Sequence, residues 1–450
     1  MSLAELTVDD VRCIEHAELH LHPGHNLIWG GNGSGKTSLL ESIFLLGRGR
    51  SFRTRNSERL IRYGRERLVV FGRTGSGTSG GGGVRAGGSD QGLDRGDDAR
   101  GVGQSAQGTG SGHAGEVAHV RGQHNGSVAD GYRTDNGPSG QGGGIGVVRD
   151  SGAASPLTTT GVAYQGRSRS MLPSMLGQPL GVQVSRRDGT VARINGVTAS
   201  SLTELTQVFP VQVIDPGIHK LLEEGGHRRR RWMDWGVFHV EQQFGDWWLR
   251  YTRALKQRNA ALRTQPSQAV MWDPELARLG ELIAGSRQRF VEGLLPYWRE
   301  SVLALSGLEP ELHYFKGWAQ DVSLAEALVA SRTRDEAKRL THPGPHRADV
   351  IIRLHGRPAR EVLSRGQQKL VAVAMTLAQL NLLQEATQTT STLLLDDPAA
   401  ELDGDHLRRF IEQVMRLQSQ LVLTSLHSES RLFGTPNSVF HVEQGRVQPV

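Results

Sequence analysis

The stretch Gly30-Gly31-Asn32-Gly33-Ser34-Gly35-Lys36-Thr37 fits the pattern G-x-x-x-x-G-K-[ST] in full. Its glycines let consecutive backbone N–H groups converge on a phosphate with no Cβ in the way. Lys36 can then reach the β- and γ-phosphates of a nucleoside triphosphate, and the Thr37 hydroxyl can ligate Mg²⁺. A second centre of chemistry lies near the other end of the chain, in "STLLLDDPAAELDGDHLRRF", residues 391–410. Its three leucines spell a buried parallel strand, and α/β sheets gather ligands where such strands end. Asp396 is placed as the Mg²⁺ partner, directly or through water. Asp397 is placed to orient an attacking water, with Lys36 and the metal carrying the developing charge.

A third piece is "EVLSRGQQKLVAVAMTLAQLNLL", residues 361–383. Ser364 is spaced as a helix N-cap, with Gln367 three residues on to close a capping box. Leu370, Val373, Ala374, Leu377 and Leu380 recur at helical spacing, as in any core helix. Ser364, Arg365 and Gly366 at the helix start also make an end suited to an anion.

These residues need elements to hold them. "NLIWG" predicts a strand entering the phosphate loop and "TSLLESIFLL" a helix leaving it. "LTVDDVRCIEHAELHL" alternates as a strand, and "RERLVVFGRT" predicts another. Residues 1–73 therefore form the first part of a phosphate-binding lobe. Residues 74–170 are glycine-rich and too poor in apolar side chains to offset the entropy of ordering, so a disordered insertion is expected. Residues 171–216 resume the lobe, with a hairpin at Asp188-Gly189 and a buried strand in "FPVQVIDP". Residues 217–310 are mainly helical, with one amphipathic run from about Trp232 to Leu262 and a second helix opened by Pro274. Residues 311–450 alternate strand and helix again and complete the lobe.

Composition narrows the classes. No run of ~18 apolar residues exists, so no membrane span is expected. The N-terminus has strand alternation rather than a basic segment followed by an apolar one, so no signal peptide is expected. Cys13 is the single cysteine of the 450 residues, which excludes an internal disulfide and a cysteine metal cage. A reducing cytoplasm is the expected location. The net charge of +6 and pI near 9.7 favour polyanionic partners, nucleic acid above all.

"LSRGQQ" resembles the LSGGQ signature of ABC-type ATPases, "LLLDDP…ELD" their Walker B and D-loop with Asp403, and "VLTSLH" the strand that carries a γ-phosphate-sensing histidine, here His427. Gln212 is the matching candidate for a Q-loop residue that senses Mg²⁺. In that superfamily the signature helix of one subunit covers the γ-phosphate held by another, so the resemblance implies that Ser364, Arg365, Gly366 and Gln367 act in trans. The fold class implied is α/β: an ABC-type ATPase lobe, with a P-loop and a mixed sheet flanked by helices, plus a mainly helical SMC-like arm lobe.

Within the superfamily, "GGNGSGKTSLLESIFLLGRGRSFRT", "GGHRRRRWMDWGVFHVEQQF", "YTRALKQRNAALR", "THPGPHRADV" and "LSRGQQKLVAVAMTLAQ" are similar, in order, to blocks of the RecF family. The resemblance spans the chain outside about 74–170. It implies ATP and Mg²⁺ as ligands and slow, DNA-stimulated hydrolysis that works as a switch. It implies an ATP-dependent homodimer on gapped DNA or at a junction of single and double strands. It also implies cooperation with RecO and RecR in loading RecA, and a part in the SOS response. An SMC-like chromosome organiser and a passive recruitment scaffold are the alternatives.

Candidate DNA contacts are the basic run Arg228, Arg229, Arg230 and Arg231, and the helically spaced Arg250, Arg253, Lys256 and Arg258. A solvated helix start is the competing reading for the run. Arg48, Arg50, Arg53 and Arg55 follow the first helix and could touch DNA or nucleotide. His342 and His346 are spaced four apart, but Pro343 and Pro345 break any helix that would set them on one face as zinc ligands. Trp232, Trp235, Trp247 and Trp248 are expected in the core.

Overall fold

The alternation of the first twenty residues becomes a hairpin in the computed structural model, which describes residues 2–75, 177–400, 402–428 and 433–450. Strands β1 (Ser2–Val11) and β2 (Ile14–His20) pair antiparallel across a turn at Arg12, whose φ is 52°. Strand β3 (His25–Trp29) feeds the glycine loop and helix α1 (Lys36–Arg48), which Gly49 ends in the left-handed region at φ 60°. Strands β4 (Arg67–Gly75), β5 (Pro179–Ser185), β6 (Gly189–Ile194) and β7 (Val197–Thr198) extend the hairpin into an antiparallel sheet of order β2-β1-β4-β5-β6-β7. The turn expected at Asp188-Gly189 closes the β5–β6 hairpin, with Gly189 at φ 70° and Ser185 opposite it. The insertion expected over 74–170 lies outside the described residues, apart from Thr74 and Gly75, which complete β4.

Helix α2 (Thr203–Val208) leads to β8 (Val211–Ile214) and the short α3 (Lys220–Glu223). Two helices, α4 (Gly226–Val240) and α5 (Phe244–Thr264), replace the single run expected from Trp232 to Leu262. The break falls at Glu241-Gln242-Gln243, three polar residues with no apolar anchor, where Glu241 turns extended. Helix α6 (Asp273–Ser306) carries Pro274 in its first turn, as expected. Strand β9 (Glu311–Phe315), helices α7 (Leu324–Ala330) and α8 (Arg332–Lys338), strands β10 (Asp349–Leu354) and β11 (Arg357–Pro358), and helix α9 (Ala359–Val362) follow. Then come α10 (Arg365–Thr387), β12 (Thr392–Leu395), α11 (Gly404–Met415), β13 (Gln420–Ser425), β14 (Ser438–Glu443) and β15 (Arg446–Pro449).

The sheet that matters for chemistry has the order β15-β14-β3-β13-β12-β8. Every pair in it is parallel except β14–β15. A parallel sheet is covered on both faces, which is why its inner strand β12 is an unbroken apolar run after Thr392. The period of two then divides each strand between two cores. Leu27, Leu393, Leu395, Leu421 and Leu423 face a core shared with Trp232, Met233, Leu279, Ile283 and Val371 of the long helices. Ile28, Leu394 and Val422 face the opposite way, onto α1 and the antiparallel sheet, through Leu39, Ile43, Leu3 and Val70. Helices α4, α6 and α10 thus bury their apolar stripes in the same core as the sheet. All the described residues fall in one compact unit.

Candidate active site

Four parallel strands end at one edge of this sheet. Their register sets Trp29 opposite Ser425, Leu423 opposite Leu395, and Leu395 opposite Ile214. The residues that follow them, Gly30, His427, Asp396 with Asp397, and Asp215, therefore emerge on the same side. Gly30 must be glycine: at φ 155° a Cβ would lie 2.2 Å from the Val442 carbonyl oxygen. Gly31 and Gly33 have nothing within 4 Å of an added Cβ, so the concave side of the loop is open. The loop is tied down behind by the N–H of Gly445, which donates to the Ser34 carbonyl at 2.8 Å. This cradle, with a buried ammonium at its base, fits a triphosphate.

Lys36 is 8% exposed and donates to the carbonyls of Gly30 and Gly31 at 2.7 and 2.8 Å. Burial lowers its pKa, against the pull of Asp397 and Asp396. Thr37 Oγ1 donates to both carboxylate oxygens of Asp396, at 2.9 and 3.2 Å, and Thr424 Oγ1 donates to Oδ1 at 2.9 Å. The hydroxyl and carboxylate expected to hold Mg²⁺ are thus already side by side, and that donor set suits a hard cation. Asp397 follows at φ 48°, in the left-handed region that Asp and Asn tolerate better than other side chains. Its N–H donates to Thr424 Oγ1 at 2.9 Å. Burial raises the Asp397 pKa; Lys36 opposes this, Asp396 adds to it and the nearby His427 opposes it. His427 itself is exposed, its N–H donating to Ser425 Oγ at 3.1 Å.

The signature end of α10 is built as expected but stands elsewhere. Ser364 accepts from the Gln367 N–H, and the Gln367 side chain accepts from the Ser364 N–H, a complete capping box. Ser364, Arg365 and Gly366 are exposed, and among the described residues none bonds to the glycine loop. Arg365 instead meets His219 at 3.0 Å. Asp403 caps α11 by accepting from the His406 N–H at 3.0 Å.

The family model described as "RecF/RecN/SMC N terminal domain" matches residues 2–76 and 174–447. Over 455 residues the chain is 30% identical to the DNA replication and repair protein RecF of Pseudomonas aeruginosa (strain LESB58), covering 99% of this chain and 97% of that one. The chain belongs to the RecF family. A Pseudomonas putida (strain GB-1) relative of the same name is 31% identical over 455 residues, with 99% and 98% covered. A solved recombination mediator protein RecF with ATP, of the RecFOR pathway, superposes with a TM-score of 0.72 at 21% identity, over 100% of this chain and 97% of that one. The mixed sheet with flanking helices is accordingly the ABC-type ATPase fold. Among the described residues no helix is long and apolar enough to cross a membrane.

In this RecF-family chain several expected roles need correction. Gln212 does not sit at the strand end. It is buried two residues earlier, and its amide donates to Gln379 at 2.6 Å. The side chain next to Asp396 at the end of β8 is Asp215, whose pKa is raised by burial and then by Asp396. Sequence reasoning missed it because "VIDP" matches no signature; its place directly after a buried strand was the available signal. Glu41 was also missed. Wholly buried in α1, it accepts two bonds from Arg12, at 2.6 and 2.9 Å, and one from Ser51 at 2.6 Å, which pins the phosphate-loop helix to the β1–β2 turn.

The basic residues divide sharply. Arg258 is not a DNA contact: it is 1% exposed and donates to Asp273 and Asp335 at 2.7 Å and to Thr341 at 2.9 Å. Arg229 is likewise structural, bonded twice to Asp349 and to three carbonyls that end α3. Arg230 donates to the Ala348 carbonyl, and Arg228 pairs with Glu224. Arg250 pairs with Glu275 at 2.7 Å. Arg231, Arg253 and Lys256 are exposed and have no ion-pair partner among the described residues. Arg53 lies 3.7 Å from Glu41, and Arg55 meets His227 at 3.3 Å. His342 bonds Asp335 at 2.7 Å and His346 bonds the Tyr251 hydroxyl at 2.8 Å, so each has a protein partner of its own. Trp232 and Trp235 are buried in the core, and Trp247 and Trp248 pack against it.

Truncating a buried ion-pair partner leaves a buried charge uncompensated. Arg258→Ala is therefore expected to lower stability by about 3–5 kcal/mol. Chemical denaturation measures this, and DNA affinity per folded molecule should stay at the wild-type value. A selective loss of DNA affinity with unchanged stability would overturn the structural assignment.

Proposed function

We propose that this RecF-family chain is an ATP-dependent DNA-binding protein of recombinational repair and replication restart. In this reading ATP drives dimerisation on gapped DNA or at a junction of single and double strands. RecO- and RecR-like mediators then join it in loading RecA, and slow hydrolysis stimulated by DNA resets the clamp. The observation that carries the proposal is the half-built site. One edge of the sheet offers the cradle, Lys36, Thr37, Asp396, Asp397 and His427, while the capped end of α10 is exposed and bonded to none of them. A second copy would bring Ser364 over the terminal phosphate, where a helix N-terminus favours negative charge.

Within one copy, Lys36 and the loop N–H groups bind and orient the triphosphate, and Asp397 orients the attacking water. Thr37 and Asp396, with Asp215 beside them, would hold Mg²⁺, which supplies charge neutralisation to phosphoryl transfer when bound. Arg253 and Lys256, exposed on α5, are the contacts of that helix proposed for the DNA backbone.

The test is Ser364→Arg, which fills the anion-binding end of α10 without touching the cradle. ATP affinity should stay within about twofold, while ATP-driven dimers disappear in sedimentation velocity, as expected when binding and roofing lie on different copies. Lost ATP binding with normal association would overturn the trans arrangement. Equal wild-type affinity for gapped DNA with ATP, ADP or no nucleotide would favour a passive scaffold.

A further inference from the structure

Among the described residues, a large cavity lies away from the phosphate cradle. A groove of about 800 Å³ runs between the end of α1, the start of α2, and helices α4 and α5. Arg48, Arg50 and Arg231 line it together. Arg48 is the last residue of α1, where the helix dipole favours a cation. Its guanidinium lies over Phe44 and Trp235, at 5.4 and 5.3 Å from the ring centroids, and its buried Nη1 makes no hydrogen bond. No carboxylate pairs with Arg50 or Arg231 among the described residues. The acids on the walls are engaged elsewhere. Asp234 is held by Arg287 at 2.8 and 3.0 Å, Glu204 accepts from Ser200 and Ser201, and Asp246 faces Arg250 at 3.9 Å. The three cations crowd one another and burial lowers the pKa of Arg48 and Arg50, yet a guanidinium stays charged in protein.

The lining also includes the apolar Phe238, Trp248, Leu249 and Leu202, the last two 46% and 36% exposed. The tryptophan faces are already covered, Trp235 by Arg48 and Trp248 by Arg287 and Tyr251. Nucleic-acid single strands are gripped by free stacking faces along a continuous basic track. This groove instead sets a cluster of three cations beside aliphatic and ring-edge surface. The geometry points to a docking site for an acidic peptide segment of a partner protein, its carboxylates on Arg48, Arg50 and Arg231 and an aromatic or aliphatic side chain against Phe238, Trp248 and Leu249. Arginine clusters recognise acidic motifs in this way, and an apolar pocket with few polar groups supplies the anchor.

The test uses the full chain and fluorescence anisotropy. The probe is a short fluorescein-labelled peptide in which aspartates flank a Phe-Leu pair. Saturable binding that weakens with salt is expected. It should fall roughly tenfold or more in the double variant Arg50→Glu, Arg231→Glu, where like charges now oppose each other. Arg231 is exposed and neither arginine has an ion-pair partner among the described residues, so the fold should survive, and retained ATP affinity is the control. Leu249→Asp should weaken binding through the apolar wall alone. The proposal is overturned by absence of binding, by equal affinity for the peptide with asparagine in place of aspartate, or by unchanged affinity in either variant. It is also overturned if oligo-dT displaces the peptide and loses its own affinity in the same variants, which would make the groove a nucleic-acid site.

Discussion

Lys36→Ala is expected to reduce ATP hydrolysis by roughly 10²–10³-fold, the loss typical when a fixed cationic or hydrogen-bonding group is removed from developing charge. The structure says why no neighbour substitutes. The ammonium is 8% exposed at the base of the loop, and its hydrogen bonds go to the carbonyls of Gly30 and Gly31. It is also the cation set against Asp396 and Asp397, whose fields reach it. Without it, the two carboxylates lose the protein cation set against them in the site. ATP affinity and ATP-driven dimerisation should fall together, since both need the triphosphate seated. Lys36→Arg should not rescue, because a planar fork cannot place a point charge between those carbonyls. Phosphate release and nucleotide titration measure both effects. An alanine variant that still dimerises with ATP would show that the cradle does not control association.

Asp397→Asn is expected to separate binding from turnover. Asparagine tolerates the left-handed backbone at φ 48° as aspartate does, so the loop and the N–H bond to Thr424 Oγ1 should persist. What is lost is the carboxylate that would orient and accept a proton from water, a contribution of typically 10²–10⁴-fold. Hydrolysis should fall by that order while ATP affinity holds, and the dimer on DNA should last longer. Sedimentation with ATP and dissociation kinetics from gapped DNA are the measurements. A strictly monomeric variant at saturating ATP would sink the gating idea, because hydrolysis could then not be the step that releases the pair. The two variants are complementary: one removes the adhesive, the other removes the solvent for it.

Some of this protein was determined by its sequence alone. The glycine loop, the capping box at Ser364 and the hairpin at Asp188-Gly189 depend on neighbours within a few residues, so residue types at fixed spacing suffice. The leucine run before Asp396 spelled a strand buried on both faces for the same reason. Other features were decided only in three dimensions. Arg253 and Arg258 are both polar residues on one helix, yet one is exposed and the other almost wholly buried. What separates them is Asp335, 77 residues away, and Asp273, 15 residues away, which fold against a single face of α5. Gln212 was expected near the metal, yet it is buried against Gln379, and Asp215 is the residue next to Asp396. Alternation along β8 could be read, but which residue meets Asp396 was set by the pairing of Leu395 with Ile214. A long polar side chain carries no local record of its partner. Its burial is permitted only where a charge or hydrogen bond from a distant segment compensates desolvation, and that meeting is made by the tertiary fold.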